Sequence, residues 1–175
     1  MRNILLNNEI AIISVKQETH LSIPDNLKLD QQLCFALHAA SLAMTKAYKP
    51  HLDAIGLTYP QYLTLLVLWE TDQLSVSEIG ARLSLDSGTL TPLLKRLEAA
   101  GLIQRQRDEK DERCVRVLLT SAGRQLQRKA QSIPECMFAA TQCSTDTVRR
   151  LTRQLHTLRS NLGGSGTVMS PKKGR

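Results

Sequence analysis

Apolar and polar residues recur along this chain with two different periods, and the switch between them sets the order of its elements. From about Leu29 to Ala47, the residues Leu33, Leu37, Ala40, Met44 and Ala47 return at spacings of four, three, four and three. That is the stripe of an amphipathic helix. Pro50 and Gly56 are read as bracketing its end. The stretch "LTYPQYLTLLVLWETDQ" is dense enough in apolar residues to be a buried central helix, with Thr58 as N-cap and Pro60 in the first turn. Ser75 with Glu78 three residues on reads as a capping box, opening a short helix with Val76, Ile79 and Leu83 on one face. After the tight turn "LSLDS", Asp86 or Ser87 opens a second helix, which buries Leu90, Leu93, Leu94 and Leu97. Gly101 stands where a C′ glycine belongs.

The period then falls to two. "LIQRQRD" alternates, "EKDE" turns and "RCVRVLLT" alternates again, which predicts a β-hairpin with a charged tip. Helix, turn, helix, hairpin is the order of a winged helix-turn-helix. The expected fold class is therefore mainly α with a small β-hairpin wing. Ser121 and Gly123 open a further helix over about Ala122 to Ala140, bent near Pro134. A last helix runs from about Thr145 to Leu162, with Ser144 as N-cap and Asp146 in its first turn. Residues 1–27 lack a clear period and read as an irregular extension, and residues 163–175 read as a flexible tail.

Composition refines this picture at a few points. Aromatics make up only 3% of the 175 residues, so burial shared between copies is expected. No apolar run approaches the ~20 residues of a membrane span, and the first residues do not read as a signal peptide. A cytoplasmic protein without membrane contact is the expectation. The net charge of +7 is uneven: residues 1–120 hold 13 basic against 14 acidic side chains, and residues 121–175 hold 10 against 2. A high overall pI is then no proof of a nucleic-acid contact. Cys34, Cys114, Cys136 and Cys143 form no C-x-x-C and read as reduced thiols. Cys114, Trp69 and Phe138 are assigned to packing. His20, His51 and His156 lack ligand spacing, so neither a metal nor another cofactor is expected.

A helix read into a major groove needs small or polar residues on its first turns. Asp86, Ser87, Gly88, Thr89 and Thr91 supply them, and Lys95 and Arg96 follow for phosphate contact. In the hairpin tip, Arg113 suits a minor groove, and Asp111 is spaced to hold its guanidinium. The other reading of these features is a polar helix face and a self-paired, solvated tip.

On these residues the chain from about 29 to 162 resembles the MarR family of winged-helix repressors. The stretches "LDQQLCFALHAASLAMTKAYKPHLDAIGLTYPQYLTLLVLWE" and "LSVSEIGARLSLDSGTLTPLLKRLEAAGLIQRQRDEKDERCVRVLLT" resemble its organic-hydroperoxide-sensing, OhrR-type branch. The resemblance implies a domain over 28–162, with a DNA-binding lobe over about 57–120. Helices over about 28–56 and 121–162 would form a homodimer. It implies repression through double-stranded operator DNA, with an organic hydroperoxide as signal. Cys34 matches the peroxidatic cysteine, and Tyr48 and Tyr59 match tyrosines that hydrogen-bond its thiolate from the other subunit. Resolution falls to Cys136, to Cys143 or to a small-molecule thiol, since the usual resolving position aligns near Ala139, between the two. His38 stands where the family often has tyrosine.

The residues around Cys34 bear on the same reading. A sensing thiol must be reachable and supported as a thiolate. Cys34 lies near a helix start, His38 follows one turn on, and Leu33, Phe35 and Leu37 suit a greasy hydroperoxide. His38 then supports the thiolate, or is a satisfied core or interface histidine. Two rival functions are a regulator released by a phenolic effector and a thiol peroxidase using Cys34 with His38. The peroxidase would have no need of a reading helix and wing, so an enzyme is not expected.

Overall fold

The computed structural model describes residues 24–108 and 114–164. The chain divides into two units, 1–40 and 41–175. In the first, 3-10 turns at Asp25–Leu27 and Leu29–Gln31 precede helix α1 (Leu33–Asp53), whose opening residues lie here. The helix expected from Leu29 thus starts four residues later. Gln32 is extended, with φ −88° and ψ 116°. Its side-chain amide donates to the carbonyls of Asn26 (2.7 Å) and Lys28 (3.1 Å), which holds the turn in place of a first helical one.

The second unit holds the rest of α1 and the core. Pro50 lies inside α1 rather than at its end. Proline removes the N–H that would bond the Lys46 carbonyl, but Lys46 is solvent-exposed, and Leu52, only 1% exposed, anchors the last turn. Helix α2 (Tyr59–Glu70) is the buried centre, with Tyr62, Leu65 and Leu68 each at most 2% exposed. Its start is capped as expected: the Gln61 side chain accepts from the Thr58 N–H at 2.8 Å.

Strand β1 (Leu74–Ser75) leads into α3 (Val76–Leu83) and α4 (Ser87–Ala99), followed by β2 (Ile103–Arg107) and β3 (Val115–Leu119). The expected hairpin is present, and β1, which two residues cannot signal by period, adds a third strand. The antiparallel order is β1-β3-β2, with Leu74 opposite Val117 and Ile103 opposite Leu119. Val117 is fully buried at the centre. The Ser75–Glu78 capping box forms, the Glu78 carboxylate accepting from the Ser75 N–H at 2.7 Å. Gly101 ends α4 at φ +70°, and the Leu102 N–H reaches back to the Leu97 carbonyl at 3.0 Å. The expected "EKDE" turn lies outside the described residues.

Helix α5 (Ser121–Ala130) opens at Ser121 as expected, capped by Thr120, whose hydroxyl accepts from the Gly123 N–H at 3.0 Å. A Cβ at Gly123 would lie 2.1 Å from the Leu102 carbonyl, so only glycine lets the helix meet the sheet this closely. The single bent helix expected over Ala122 to Ala140 is two helices, α5 and α6 (Ile133–Ala140). Pro134 falls in the first turn of α6, where a missing N–H costs little. Phe138, assigned to the core, is 41% exposed in the single chain, because Ile133 and Met137 take the inward face of α6. Helix α7 (Thr145–Gly164) runs two residues beyond its expected end, and the Ser144 hydroxyl accepts from the Thr147 N–H at 3.3 Å.

Candidate functional site

The second helix of the helix-turn-helix presents the polar face that the sequence assigned to it. Asp86 is the N-cap of α4. One carboxylate oxygen accepts from the Thr89 N–H (2.9 Å) and the other from the Thr89 hydroxyl (2.8 Å). These bonds hold the Asp86 carboxyl below its ordinary range. Asp86 therefore organises the first turn, while Ser87, Gly88 and Thr89 are exposed on it. Thr91 is half-buried and its hydroxyl donates to the Ser87 carbonyl at 2.7 Å. Lys95 and Arg96 are exposed further along, and no described residue forms an ion pair with either. A cleft of about 670 Å³ runs beside this helix, lined by Ser75, Ser77, Ser87 and Thr91 and, across it, by half-buried Cys114 and Val115.

The root of the wing is held by two carboxylates whose role the sequence did not reveal. Glu98 on α4 accepts from the Arg105 backbone (2.9 Å), Nε (2.8 Å) and Nη2 (2.6 Å), and the Arg105 side chain in turn holds the Glu98 carboxyl low. Asp108 accepts from Arg116 Nε at 2.5 Å, and Arg116 also donates to the Gln73 carbonyl at 3.0 Å. The acidic character of the hairpin thus serves partly to fix its own strands. A third carboxylate, Asp72, accepts from the Leu119 N–H (2.9 Å) and pairs with Arg124 (2.7 Å), tying the sheet to α5. Asp111 and Arg113 lie outside the described residues.

The thiol candidates fall in several places. Cys34 is the second residue of α1 and is exposed, as is His38 one turn later. Leu33 and Phe35 beside them are 61% and 39% exposed. Tyr48 and Tyr59 are brought together in the second unit, ring centroids 4.8 Å apart, with Tyr62 5.9 Å from Tyr48. Burial raises all three phenols above the ordinary tyrosine value, so they stay protonated as donors at neutral pH. Beside Tyr59, a cleft of about 460 Å³ is lined by Leu42, Leu52, Leu57 and Pro60 together with Lys46, Lys49 and Asp53. Cys136 is exposed on α6 and Cys143 is half-buried before α7, and all four cysteines are free thiols. Trp69 is half-buried, and its indole N–H donates to the Gly123 carbonyl at 3.0 Å.

Apolar side chains outside the core have a marked distribution. Leu33, Leu42 and Met44 on α1, and Leu151, Leu155 and Leu162 on α7, are each at least 40% exposed in the single chain. Among the described residues, no group of His, Cys, Asp and Glu is arranged to hold a metal, and no helix is long and apolar enough to cross a membrane.

Residues 46–130 match the family model described as transcriptional regulator SarA/Rot. The chain is 50% identical over 138 residues to the organic hydroperoxide resistance transcriptional regulator of Bacillus subtilis strain 168, covering 79% of this chain and 94% of that protein. It is also 50% identical over 149 residues to the HTH-type transcriptional regulator TtmR of Methylorubrum extorquens strain PA1, covering 85% and 75%. Among solved structures, AbfR of Staphylococcus epidermidis is similar. Its DNA-bound forms, one reduced and one overoxidised, share 34% identity at a TM-score of 0.64, covering 79% of this chain and 98% of AbfR. A disulfide-formed AbfR shares 36% identity at a TM-score of 0.55, covering 76% and 93%.

Proposed function

This chain belongs to the MarR/SarA family of winged helix-turn-helix transcriptional regulators, in its OhrR-type branch, and from that premise we propose that it is a homodimeric repressor released from operator DNA when an organic hydroperoxide oxidises Cys34. The observation that carries the reading is the exposed Cys34 at the start of α1, in a chain 50% identical over 138 residues to an organic hydroperoxide resistance regulator.

DNA binding follows from α4 and the wing of a lobe over about 57–120. Ser87, Gly88, Thr89 and Thr91 face base edges, with the first turn held by Asp86. Lys95 and Arg96 meet phosphates, and Arg113, posed by Asp111, enters the minor groove. The helices over about 28–56 and 121–162 supply the dimer. The exposed leucines of α1 and α7 support this, since apolar surface gathered on two helices favours association. Two copies would set their reading helices in successive major grooves, ~34–36 Å apart.

Sensing begins at the Cys34 thiolate. Its sulfur attacks the terminal peroxide oxygen, and the O–O bond breaks. Sulfur is oxidised to a sulfenic acid, and the alkoxide leaves and takes up a proton to become an alcohol. A second thiol then attacks that sulfur: an S–S bond forms, the S–O bond breaks, and hydroxyl departs with the thiol proton as water. Cys136 or Cys143 of the other subunit, or a small-molecule thiol, supplies it. The neutral phenols of the partner's Tyr48 and Tyr59, together with His38, donate hydrogen bonds to the thiolate. AbfR has been captured on DNA both reduced and overoxidised, and a disulfide-formed AbfR is a separate structure. That supports assigning release in this chain to the disulfide step rather than to oxidation alone. Free thiols of this kind require a reducing compartment, so the protein acts in the cytoplasm.

A mobility-shift titration of the operator complex with cumene hydroperoxide tests the reading. Release at about one equivalent per subunit, reversed by dithiothreitol, is expected. Release by a phenolic effector under reducing conditions, with no response to peroxide, would overturn it.

A further inference from the structure

The oxidisable rings of this chain are gathered in one place. Its three tyrosines and its single tryptophan form one connected series. Ring centroids are 4.8 Å apart from Tyr59 to Tyr48, 5.9 Å from Tyr48 to Tyr62, and 6.3 Å from Tyr62 to Trp69. Each separation is that of aromatic rings packed in contact. Phe35 and Phe138, whose rings resist one-electron oxidation, make no ring contact among the described residues. Exposure divides the series into parts. Trp69 is half-buried and lines a hollow of about 230 Å³ with Leu66, Glu70 and Gln127, so a small oxidant reaches it. Tyr62 is 2% exposed, and its phenol is poorly placed to lose a proton to water. Tyr48 and Tyr59 are half-buried and do have access to water.

We propose that these four rings are a radical relay, which moves a one-electron oxidation from Trp69 through Tyr62 to the Tyr48–Tyr59 pair. This activity is separate from the two-electron chemistry of Cys34 and does not depend on it. The oxidant is an alkoxyl radical, the product of one-electron cleavage of an organic hydroperoxide. It gains an electron from Trp69 and a proton from water, and becomes an alcohol. The oxidised indole is refilled by an electron passed along Tyr62 from Tyr48 or Tyr59, and that phenol releases its proton to water. Electrons and protons balance: an alkoxyl radical and a phenol give an alcohol and a phenoxyl radical, and Trp69 is restored. The hole runs towards the phenols because, at neutral pH, a phenol that sheds its proton is easier to oxidise than an indole. Tyr62 is the bridge, and Tyr48 and Tyr59 are the terminus. The relay thus carries an oxidation out of the core to rings that water reaches.

The test is pulse radiolysis of the full chain with the azide radical, a small oxidant that at neutral pH attacks tryptophan faster than tyrosine. Indolyl and phenoxyl radicals absorb in separate bands. In the parent the indolyl band is expected to decay as the phenoxyl band grows, in a first-order phase whose rate does not change with protein concentration. Tyr62→Phe keeps the ring and its packing but removes the oxidisable group, and is expected to lose most of that rate. The double variant Tyr48→Phe, Tyr59→Phe is expected to lose the phenoxyl growth, because Tyr62 has no outlet for its proton. Far-UV circular dichroism checks that each variant is folded. A parent whose indolyl radical decays without phenoxyl growth, or at a rate proportional to protein concentration, overturns the proposal. So does Tyr62→Phe at the parent's rate, or a double variant that keeps the growth. Should one variant fail to fold, the parent's concentration dependence and the other variant still decide.

Discussion

Asp72 gives the sharpest stability prediction, because its carboxylate joins three segments. One oxygen accepts from the backbone N–H of Leu119 at 2.9 Å and of Gln73 at 2.8 Å, and the other pairs with Arg124 at 2.7 Å. Leu119 is 7% exposed, so in Asp72→Ala its N–H is left largely out of water without an acceptor. Such an unpaired buried donor costs ~1–3 kcal/mol. The Arg124 side chain is 56% exposed, so losing that pair adds only ~0–1 kcal/mol. The Gln73 N–H is at the surface and rehydrates. Asp72→Ala should therefore lose about 1–4 kcal/mol in all. Asp72→Asn keeps an acceptor for Leu119 and should lose under about 1 kcal/mol, close to Arg124→Ala. Urea unfolding, followed through the single tryptophan at position 69, reads these differences. All variants are compared reduced and at one protein concentration, because dimer dissociation shifts the midpoint. The slope with urea should stay constant. If Asn is as damaging as Ala, the charge rather than the Leu119 bond is what matters, and the reasoning fails.

Other predictions follow from the same structure. Asp86→Ala should weaken binding to all DNA sequences alike by fraying the first turn of α4, and Asp86→Asn should restore it; a change in preference at one base pair would instead make Asp86 a base reader. Arg113→Ala should cost about 1–3 kcal/mol of operator binding in a mobility-shift titration, and the loss in Asp111→Ala should overlap rather than add; full additivity would mean that Asp111 does not pose Arg113. Tyr48, Tyr59 and Tyr62 have folded values raised above 10.0 by burial. The folded state then holds those protons longer than the unfolded one, so their contribution is complete below about pH 10 and is lost as pH rises through the folded values. Unfolding midpoints should drop above pH 10, and drop less in Tyr48→Phe; equal slopes would reject the burial argument.

Local chemistry explains which parts of the fold the sequence revealed. The stripe Leu90, Leu94 and Leu97 and the alternation through Val115 and Val117 are direct imprints of a period on one buried face, and both elements lie where expected. Caps at Thr58, Ser75 and Ser144 were legible because the cap and its acceptor or donor are three residues apart. Pro50 and Pro134 depart from expectation for one reason: proline forbids a bond, but tertiary burial decides whether the helix tolerates or breaks at that point. Leu52 holds the first helix together, while Pro134 simply opens α6. Phe138 departs from the core position expected of a large apolar side chain because Ile133 and Met137 already fill the inward face. At the site, the polar face of α4 was legible from residue types alone. The pairs Glu98–Arg105 and Asp108–Arg116 were not, since each joins residues on different elements, and only strand register brings them together. Tyr48 and Tyr59 rest on family resemblance, and their tilted ring contact is something no spacing rule gives.

The central claim concerns one sulfur atom, and Cys34→Ser tests it most directly. Serine is close to cysteine in size and the position is exposed, so folding and operator binding should match the parent. Its hydroxyl is a poor nucleophile at neutral pH, so no sulfenic acid can form. Operator complexes of parent and variant are titrated side by side with cumene hydroperoxide, then treated with dithiothreitol. The parent is expected to leave the DNA and return on reduction, while Cys34→Ser stays bound throughout. A variant that leaves at the parent's dose and returns with reductant would contradict it, and would place sensing at another cysteine.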